Sequence, residues 1–177
     1  MNGLKITYSI LAVVLAVCAF QVRAADGAIA RMHNPDGEAV GTVEFRPSPF
    51  GSMLHARLAF LPAGIHAFHV HETGECVPPF KSAGGHFNPD SSDHGLMDAD
   101  GRHAGDMPNI HVPASGMVNI EIFNDSVRLD ERLFDADGAS VVIHEGPDDY
   151  VTNPAGAAGP RIACGVIERA TSDAGMQ

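Results

Sequence analysis

Short segments in which apolar and polar residues alternate dominate this chain, and no segment shows a sustained helical period. From Met53 to Phe60 an apolar residue stands at every second position, and the same alternation runs from Met117 to Ile122. A period of two is typical of a β-strand with one buried face. This pattern restricts the chain to all-β folds.

Turn sequences divide the alternating segments from one another. Asn34-Pro35-Asp36-Gly37 and Asp135-Ala136-Asp137-Gly138 are two of these turns, and both are rich in the residues that β-turns require. Further strands are predicted over residues 27–32, 39–45, 65–71, 126–129 and 140–144. About seven or eight short strands at this spacing predict an antiparallel β-sandwich or flattened barrel.

Two long intervals do not follow the strand pattern, residues 72–116 and residues 145–160. Loops longer than about 12 to 15 residues in a compact domain are usually functional or disordered. The first interval is rich in histidine, and the second directly follows His144. We therefore expect two long functional loops on the β scaffold.

The N-terminal residues 1–24 have the features of a secretory signal peptide. An early lysine is followed by an apolar run from Ile10 to Phe20 and then by the small residue Ala24 at the predicted cleavage site. The apolar run is too short to span a bilayer comfortably. A lipoprotein signal at Cys18 is disfavoured because Val17 stands where a small residue is expected. We predict export to the periplasm, with an extracellular location as the alternative.

Removal of 24 of the 177 residues leaves 153, residues 25–177, which is the size of a single domain. Because the removed segment carries Lys5 and Arg23 and no acidic residue, the net charge changes from −11 to −13. A chain this acidic is a poor partner for nucleic acid or for an anionic membrane surface. No later segment is long and apolar enough for a membrane span.

Two cysteines remain after the predicted cleavage, Cys76 and Cys164. An even number of cysteines in an exported chain predicts a disulfide. Two buried free thiols are the alternative. A bond between these residues would close a loop of nearly ninety residues, which by the chain-entropy model stabilises the fold by up to about 4 to 5 kcal/mol.

Five of the ten histidines lie between Phe68 and Asp106. In a strand, His69 and His71 would share one face with their Cα atoms about 6.6 Å apart, so their imidazoles could reach one ion. Metal-ligating side chains recur further along the chain, at His86, His94, His103, Asp106 and His144. Imidazole suits zinc, copper, iron and nickel, and three histidines with one carboxylate suit tetrahedral zinc.

The number of these groups is itself informative. Two four-coordinate ions need eight ligand positions, and the seven side chains supply eight only if one histidine gives a nitrogen to each metal. An open position on one metal would account for the number equally well. Spacing alone does not choose between a bridging imidazolate and an open site.

From about Asp36 to Val166 the chain resembles the copper/zinc superoxide dismutases. The motifs are Phe68-His69-Val70-His71-Glu72, Gly84-Gly85-His86-Phe87-Asn88-Pro89, His94-Gly95, His103-Ala104-Gly105-Asp106, Val141-Val142-Ile143-His144-Glu145 and Gly159-Pro160-Arg161-Ile162-Ala163-Cys164-Gly165-Val166. The segments 78–81 and 147–150 are more similar to those of bacterial members. The resemblance implies a Greek-key β-barrel that dismutes superoxide to O2 and H2O2 with one copper and one zinc per subunit, and it is compatible with a homodimer.

The resemblance also implies a role for each site residue. The implied copper ligands are His69, His71, His86 and His144, and the implied zinc ligands are His86, His94, His103 and Asp106. His86 would bridge the metals and take a proton when its bond to copper breaks. Asp148 would link a copper-site histidine to a zinc-site histidine. Arg161 would dock the superoxide anion beside the copper, and the disulfide would tie the long loop to the barrel.

The other histidines have simpler interpretations. His66 falls on the same strand face as Phe68 and is predicted to be a hydrogen-bonded structural residue. His33 and His55 are predicted to face solvent, and His111 lacks a matching motif. None of these is expected to bind a metal.

One departure from the family concerns substrate steering, which members usually assist with a lysine in the second loop. Residues 145–160 contain neither Lys nor Arg, so Lys81 or Arg102 would have to replace it. A non-enzymatic periplasmic copper- and zinc-binding protein on the same fold is the main alternative, although metal storage needs no anion dock at Arg161. A zinc hydrolase with Glu72 as general base would leave four histidines unexplained.

Overall fold

A computed structural model describes residues 27–170 of the protein. The described residues form nine β-strands and one short 3-10 turn, at Lys81–Ala83. The strands are β1 Ala28–His33, β2 Ala39–Ser48, β3 Gly51–Leu58, β4 Gly64–His66, β5 Phe68–His71, β6 Ile110–Val112, β7 Val118–Asn124, β8 Ser140–His144 and β9 Arg161–Arg169. The predicted signal peptide, residues 1–24, lies outside the described part of the chain. No helix among residues 27–170 is long and apolar enough to cross a membrane.

Seven strands form one antiparallel sheet in the order β5-β8-β9-β1-β2-β3-β7, and β4 pairs with β6 in a second, two-stranded sheet. The inward side chains of β5 and β7, which are the two edges of the large sheet, belong to one hydrophobic cluster. Opposite edges can share a core only if the sheet curls, so the strands form a half-barrel around it. The predicted all-β antiparallel fold is confirmed.

Most predicted strands are present, and the exceptions have local causes. The strand predicted over residues 126–129 is wrong, because Asn124 Oδ1 accepts the backbone N–H groups of Ser126 and Val127, each at 2.8 Å, and turns the chain. The strand predicted to reach Phe60 ends at Leu58. Phe60 has a left-handed φ of 62° and a side chain that faces solvent. The pattern did not predict β6 or β9.

The long loop after β5 is attached to the outer side of the barrel. Phe80 and Ala83 from this loop pack with Val142 of β8 and Cys164 of β9 in a second buried cluster. Cys76 and Cys164 are joined by a disulfide, with Cα atoms 5.7 Å apart across 88 positions of sequence. The disulfide predicted from the cysteine count is therefore confirmed, and it fixes the loop on β9.

Candidate metal centre

Seven metal-ligating side chains converge at one side of the barrel and form two buried groups. The first group is His69, His71, His86 and His144, and the second is His86, His94, His103 and Asp106. In each group the ligand atoms lie within 4.8 Å of one another. All seven side chains predicted from the sequence are present in these groups, and His86 belongs to both.

Strand β5 places the first two histidines. Phe68 and Val70 point into the barrel core, so alternation turns His69 and His71 to the opposite face, where the loops bury them. The neighbouring strand β8 ends at His144. His86 lies in the long loop and forms an isolated antiparallel bridge with His71.

Gly105 brings the second half of the long loop against β5. Its carbonyl accepts the N–H of Val70 at 3.0 Å, and its own N–H donates to Phe87 O at 2.8 Å. A Cβ at this position would overlap the backbone oxygen of Val70. The family motif needs glycine here because any side chain would push the loop away from the strand.

The histidines of the first group each use one ring nitrogen for a protein acceptor. His69 Nε2 contacts Asp148 Oδ2 at 2.9 Å, His71 Nδ1 contacts Gly84 O at 3.1 Å, and His144 Nδ1 contacts Gly159 O at 3.1 Å. Because the acceptors are oxygens, these nitrogens carry the protons. The opposite nitrogens are left with free lone pairs, and His71 Nε2 lies 3.4 Å from His144 Nε2.

Two nitrogens of the first group, His69 Nδ1 and His86 Nε2, are buried without a hydrogen-bond partner in the described part of the chain. Unpartnered buried polar atoms are rare, because each costs free energy relative to water. A metal bound by the first group would satisfy both atoms. The residues therefore fit a copper ion, for which imidazole nitrogen is a suitable ligand.

Burial favours the uncharged form of three histidines in the first group, His69, His71 and His144. Desolvation lowers the pKa of His69 to about 4 and the pKa of His144 to about 3. Desolvation also lowers the pKa of His71 well below its usual value. Neutral imidazoles at neutral pH have the lone pairs that metal binding requires.

The second group is organised around the carboxylate of Asp106. Its Oδ1 lies 2.7 Å from His86 Nδ1 and 3.3 Å from His103 Nδ1, and its Oδ2 lies 3.1 Å from His94 Nδ1. Burial opposes the charge of Asp106, but hydrogen bonds from His86, His94 and the Gly95 N–H hold its pKa far below the usual value. Three imidazoles with one ionised carboxylate fit a tetrahedral zinc ion.

Asp148 links the two groups a second time. Its Oδ2 contacts His69 Nε2 at 2.9 Å, and its Oδ1 contacts His94 Nε2 at 3.0 Å. Its side chain is fully buried. Burial opposes the charge, but hydrogen bonds from both imidazoles lower the pKa of Asp148 far below its usual value. Burial opposes the charge of His94 as well, yet the two carboxylates raise its pKa to about 9.

Sequence reasoning missed Asn109, which holds Asp148 in place. The Asn109 amide donates to Asp148 O at 2.9 Å and accepts from Asp148 N–H at 2.8 Å. This reciprocal pair attaches the second long loop to the first. Asn109 lies three positions after Asp106, outside the segments that carry the family motifs, so its role depends on a contact across 39 positions that the sequence does not signal.

Arg161, the first residue of β9, is anchored by the loop that carries the disulfide. Its Nη1 donates to Phe80 O at 2.5 Å, and its Nη2 donates to Gly84 O at 2.6 Å. Partial burial lowers the pKa of Arg161, but an arginine begins so high that the guanidinium stays charged at neutral pH. The fixed cation lies beside the first histidine group because Gly84 O also contacts His71.

The remaining histidines lie outside both groups. His66 is buried, with Nδ1 2.9 Å from His144 O and Nε2 2.9 Å from Pro62 O, as expected for a structural residue. His33 and His111 are exposed, and half-buried His55 contacts Asn119 Oδ1 at 2.7 Å.

The two candidate steering cations, Lys81 and Arg102, have different surroundings in the structure. Arg102, in the loop between β5 and β6, forms an ion pair with Asp125, which directly follows β7. Lys81 is exposed and directly follows Phe80, whose carbonyl accepts a hydrogen bond from Arg161. Lys81 is therefore adjacent in sequence to an anchor of Arg161, whereas Arg102 is paired with Asp125.

The family model for copper/zinc superoxide dismutase matches residues 39–167 of the chain. The chain belongs to the copper/zinc superoxide dismutase family. It is 47% identical over 144 residues to "Superoxide dismutase [Cu-Zn] 2" of Aquifex aeolicus, covering 78% of this chain and 84% of the relative.

Two solved structures place the fold in the same family. A superoxide dismutase-like protein from Bacillus subtilis superposes with a TM-score of 0.75 at 39% identity, covering 78% of this chain and 96% of that one. The copper/zinc superoxide dismutase from Brucella abortus gives a TM-score of 0.69 at 30% identity, covering 81% and 100%. The half-barrel is therefore a copper/zinc superoxide dismutase fold.

Proposed function

We propose that this protein is a superoxide dismutase that holds copper at one histidine group and zinc at the other. The copper ligands are His69, His71, His86 and His144, and the zinc ligands are His86, His94, His103 and Asp106. One observation carries the proposal: His86 presents Nδ1 to Asp106 in the second group and a buried, unpartnered Nε2 to the first. A single imidazole with this placement suits a bridge between two ions.

Copper supplies the chemistry when bound, by alternating between Cu(II) and Cu(I) as one superoxide is oxidised to O2 and a second is reduced to H2O2, while zinc has no redox chemistry. The reduced product needs two protons. His86 Nε2 holds one of them when it is free of metal, and Asp106 fixes the orientation of the ring through Nδ1. Water supplies the other proton.

Arg161 binds the superoxide anion. Two of the five N–H donors of its guanidinium are used on the backbone oxygens of Phe80 and Gly84, and the others, which have no hydrogen-bond partner among residues 27–170, can bind a small anion. Anchoring at two backbone atoms holds the charge in place before substrate arrives, which removes the cost of ordering a long side chain.

A non-enzymatic metal-binding protein on the same fold is the less favoured alternative. The binding-protein alternative is retained because one similar solved structure is of a superoxide dismutase-like protein. The anchored Arg161 supports the enzyme, because binding metal alone gives no reason to hold a guanidinium beside the copper group.

Loading the mature protein with both metals and measuring superoxide decay on the same sample tests the proposal. Equal amounts of copper and zinc, a copper electron paramagnetic spectrum that changes when zinc is added, and rapid superoxide decay are expected. His86→Ala should still bind copper but lose the zinc-dependent spectral change. Full metal loading without superoxide decay would favour the binding protein.

Export and assembly form a separate part of the proposal. The signal-like residues 1–24 and the disulfide support export to the periplasm, where thiols oxidise. The N-terminal sequence of protein recovered from a periplasmic fraction should begin at Ala25. Sedimentation of that protein will distinguish a monomer from a homodimer.

A further inference from the structure

The end of strand β7 contacts the loop between β5 and β6 on both sides of His103. Asn124, the last residue of β7, donates from Nδ2 to the backbone oxygen of Ala104 at 3.0 Å. Asp125, the next residue, forms an ion pair with the guanidinium of Arg102. Two consecutive residues of one strand end therefore hold the residues immediately before and after His103.

Asn124 is well suited to fix the loop, because its own amide is fixed. Its side chain is buried, and its Oδ1 accepts the N–H groups of Ser126 and Val127, each at 2.8 Å. These two bonds end β7 and set the plane of the amide, and one of the two Nδ2 N–H groups donates to Ala104 O. The residue also pairs with Ser52 of β3, which places it on the rigid sheet.

The backbone around His103 in turn positions the second metal group. The His103 N–H donates to Asp106 Oδ2 at 3.1 Å, and His103 Nδ1 lies 3.3 Å from His86 Nδ1. A shift of the segment from 102 to 104 would therefore move one imidazole and loosen one hydrogen bond to the shared carboxylate. The Ala104 carbonyl would also lose the partner that the Asn124 amide provides, and an unpaired backbone oxygen favours displacement of the loop.

The two contacts differ in strength. The Arg102–Asp125 pair has side chains that are 27% and 59% exposed, and exposed ion pairs contribute little because water and salt screen them. The Asn124 hydrogen bond is buried, so its loss is not compensated by water. Asn124 should therefore contribute more than Asp125 to holding the segment around His103 in place.

We propose that Asn124 is a positioning residue for the zinc half of the centre, with Asp125 as a weaker partner. Together they hold His103 in place and slow the release of zinc. The inference rests on the proposed assignment of His103 and Asp106 to zinc. Among residues 27–170 no hydrogen bond of the Asn124 side chain involves the first histidine group, so copper binding should not depend on it.

The test variant is Asn124→Asp, which keeps an oxygen for the Ser126 and Val127 N–H groups but cannot donate to Ala104 O as a carboxylate. The matched control is Asn119→Asp, the same change on the same strand at an exposed position. Zinc release from the fully loaded protein into a chromophoric chelator is measured together with the copper that remains bound. We expect Asn124→Asp to release zinc about tenfold faster or more, and Asn119→Asp to match wild type, with copper retained in both.

Asp125→Asn tests the weaker contact, with Asp130→Asn as its control because Asp130 forms a comparable exposed pair with Arg132. Asp125→Asn should accelerate zinc release by less than about threefold. If Asn124→Asp does not fold, Asn124→Ser replaces it, since a serine hydroxyl can accept from the turn but is too short to reach Ala104.

Zinc release at the wild-type rate from folded Asn124→Asp or Asn124→Ser would overturn the inference. The proposed function is tested separately by the zinc content and superoxide decay of the wild-type protein. If the wild type is active and zinc-loaded and the Asn124 variant releases zinc at the wild-type rate, only the positioning role is contradicted. A wild type without bound zinc contradicts the metal assignment.

Discussion

Arg161 and His71 meet at a single atom, the backbone oxygen of Gly84, which lies 2.6 Å from Arg161 Nη2 and 3.1 Å from His71 Nδ1. One residue is the proposed docking group for the anion, and the other belongs to the proposed copper group. The same loop supplies the second anchor of Arg161, Phe80 O. The distance between the fixed positive charge and the copper group therefore depends on the position of this loop.

Replacement of Arg161 by alanine should leave both metals bound and lower the second-order rate constant for superoxide by about tenfold or more, equivalent to about 1.4 kcal/mol. The full chain carries a net charge of −11, so the local cation must outweigh a repulsive protein. It can do so because screening over about 8 Å at physiological salt suppresses distant charges more than near ones. Pulse radiolysis with metal analysis on the same sample measures the effect.

Salt provides the control for this electrostatic explanation. The wild-type rate should fall as salt rises, because the attraction is screened, whereas the rate of Arg161→Glu should increase as repulsion is screened. Arg128→Ala, which removes an exposed arginine whose hydrogen bond among residues 27–170 is to Pro49 O, should resemble wild type. Full activity of metal-loaded Arg161→Ala at every salt concentration would mean that another group docks the anion.

The disulfide should affect both stability and rate. Replacing Cys76 and Cys164 with serine should lower the free energy of unfolding by about 2 to 5 kcal/mol. The rate constant should also fall, because the loop that carries Phe80 and Gly84 is no longer tied to β9 and Arg161 loses its fixed anchors. Denaturant unfolding of the oxidised, reduced and doubly substituted proteins measures the first effect.

Rate measurements on the same three samples, each with its copper content known, measure the second effect. The unreduced, denatured wild type should contain no titratable thiol. A doubly substituted protein with normal activity per copper would show that the packing of Phe80 and Ala83 against Val142 holds the loop without the disulfide.

Sequence patterns predicted the parts of this protein that depend on short-range regularity. Alternation located β3 and β7 because each buries one face continuously. It failed at β9, where Gly165 interrupts the apolar pattern because a Cβ there would press on the Arg31 backbone. It also failed at Val127, whose burial comes from a turn rather than from a strand.

The candidate site was only partly predictable from the sequence. Histidine spacing predicted the side chains that converge in the two groups, and the family resemblance assigned them to two metals. Neither source indicated Asn109 or Asn124, which act through backbone atoms far away in sequence, across 39 and 20 positions. A hydrogen bond from an amide to a distant main-chain oxygen places no restriction on the type of residue it contacts, so a single sequence contains no signal for it.

Two glycines in the second long loop allow the packing around Asp148 to be tested. Gly156 and Gly159 both have left-handed backbones, with φ of 62° and 77°. A Cβ on Gly156 would overlap the Asp148 carboxylate and press on His94 Nε2, whereas a Cβ on Gly159 meets nothing within 4 Å. Alanine costs similar backbone strain at both positions, about 1 kcal/mol, so the difference between the variants reports on the contact between Asp148 and His94.

Gly156→Ala should therefore weaken zinc binding by about tenfold or more, as expected when a carboxylate that orients a ligating histidine is displaced. Gly159→Ala should bind zinc as wild type does. Competition with a chelator of known affinity measures both variants. Equal zinc affinities in the two variants would show that Asp148 does not orient His94 for the metal.

Lys81 lies where it can influence how superoxide reaches Arg161, the proposed docking residue. Each of the eight arginines among residues 27–170 has an ion-pair, hydrogen-bond or cation–π partner, whereas the ammonium of Lys81 has none in this part of the chain. An unpaired, exposed cation next to Phe80 can attract an anion towards the docking arginine. Lys81→Gln should lower the second-order rate constant about two- to fivefold at low salt and leave it unchanged at high salt, where screening removes the attraction. Both metals should stay bound, and Arg128→Gln should show neither effect. A loss in Lys81→Gln that persists at high salt would point instead to a change in the Phe80 carbonyl and hence in the anchor of Arg161, and no loss at low salt would mean that Arg161 attracts the anion without help.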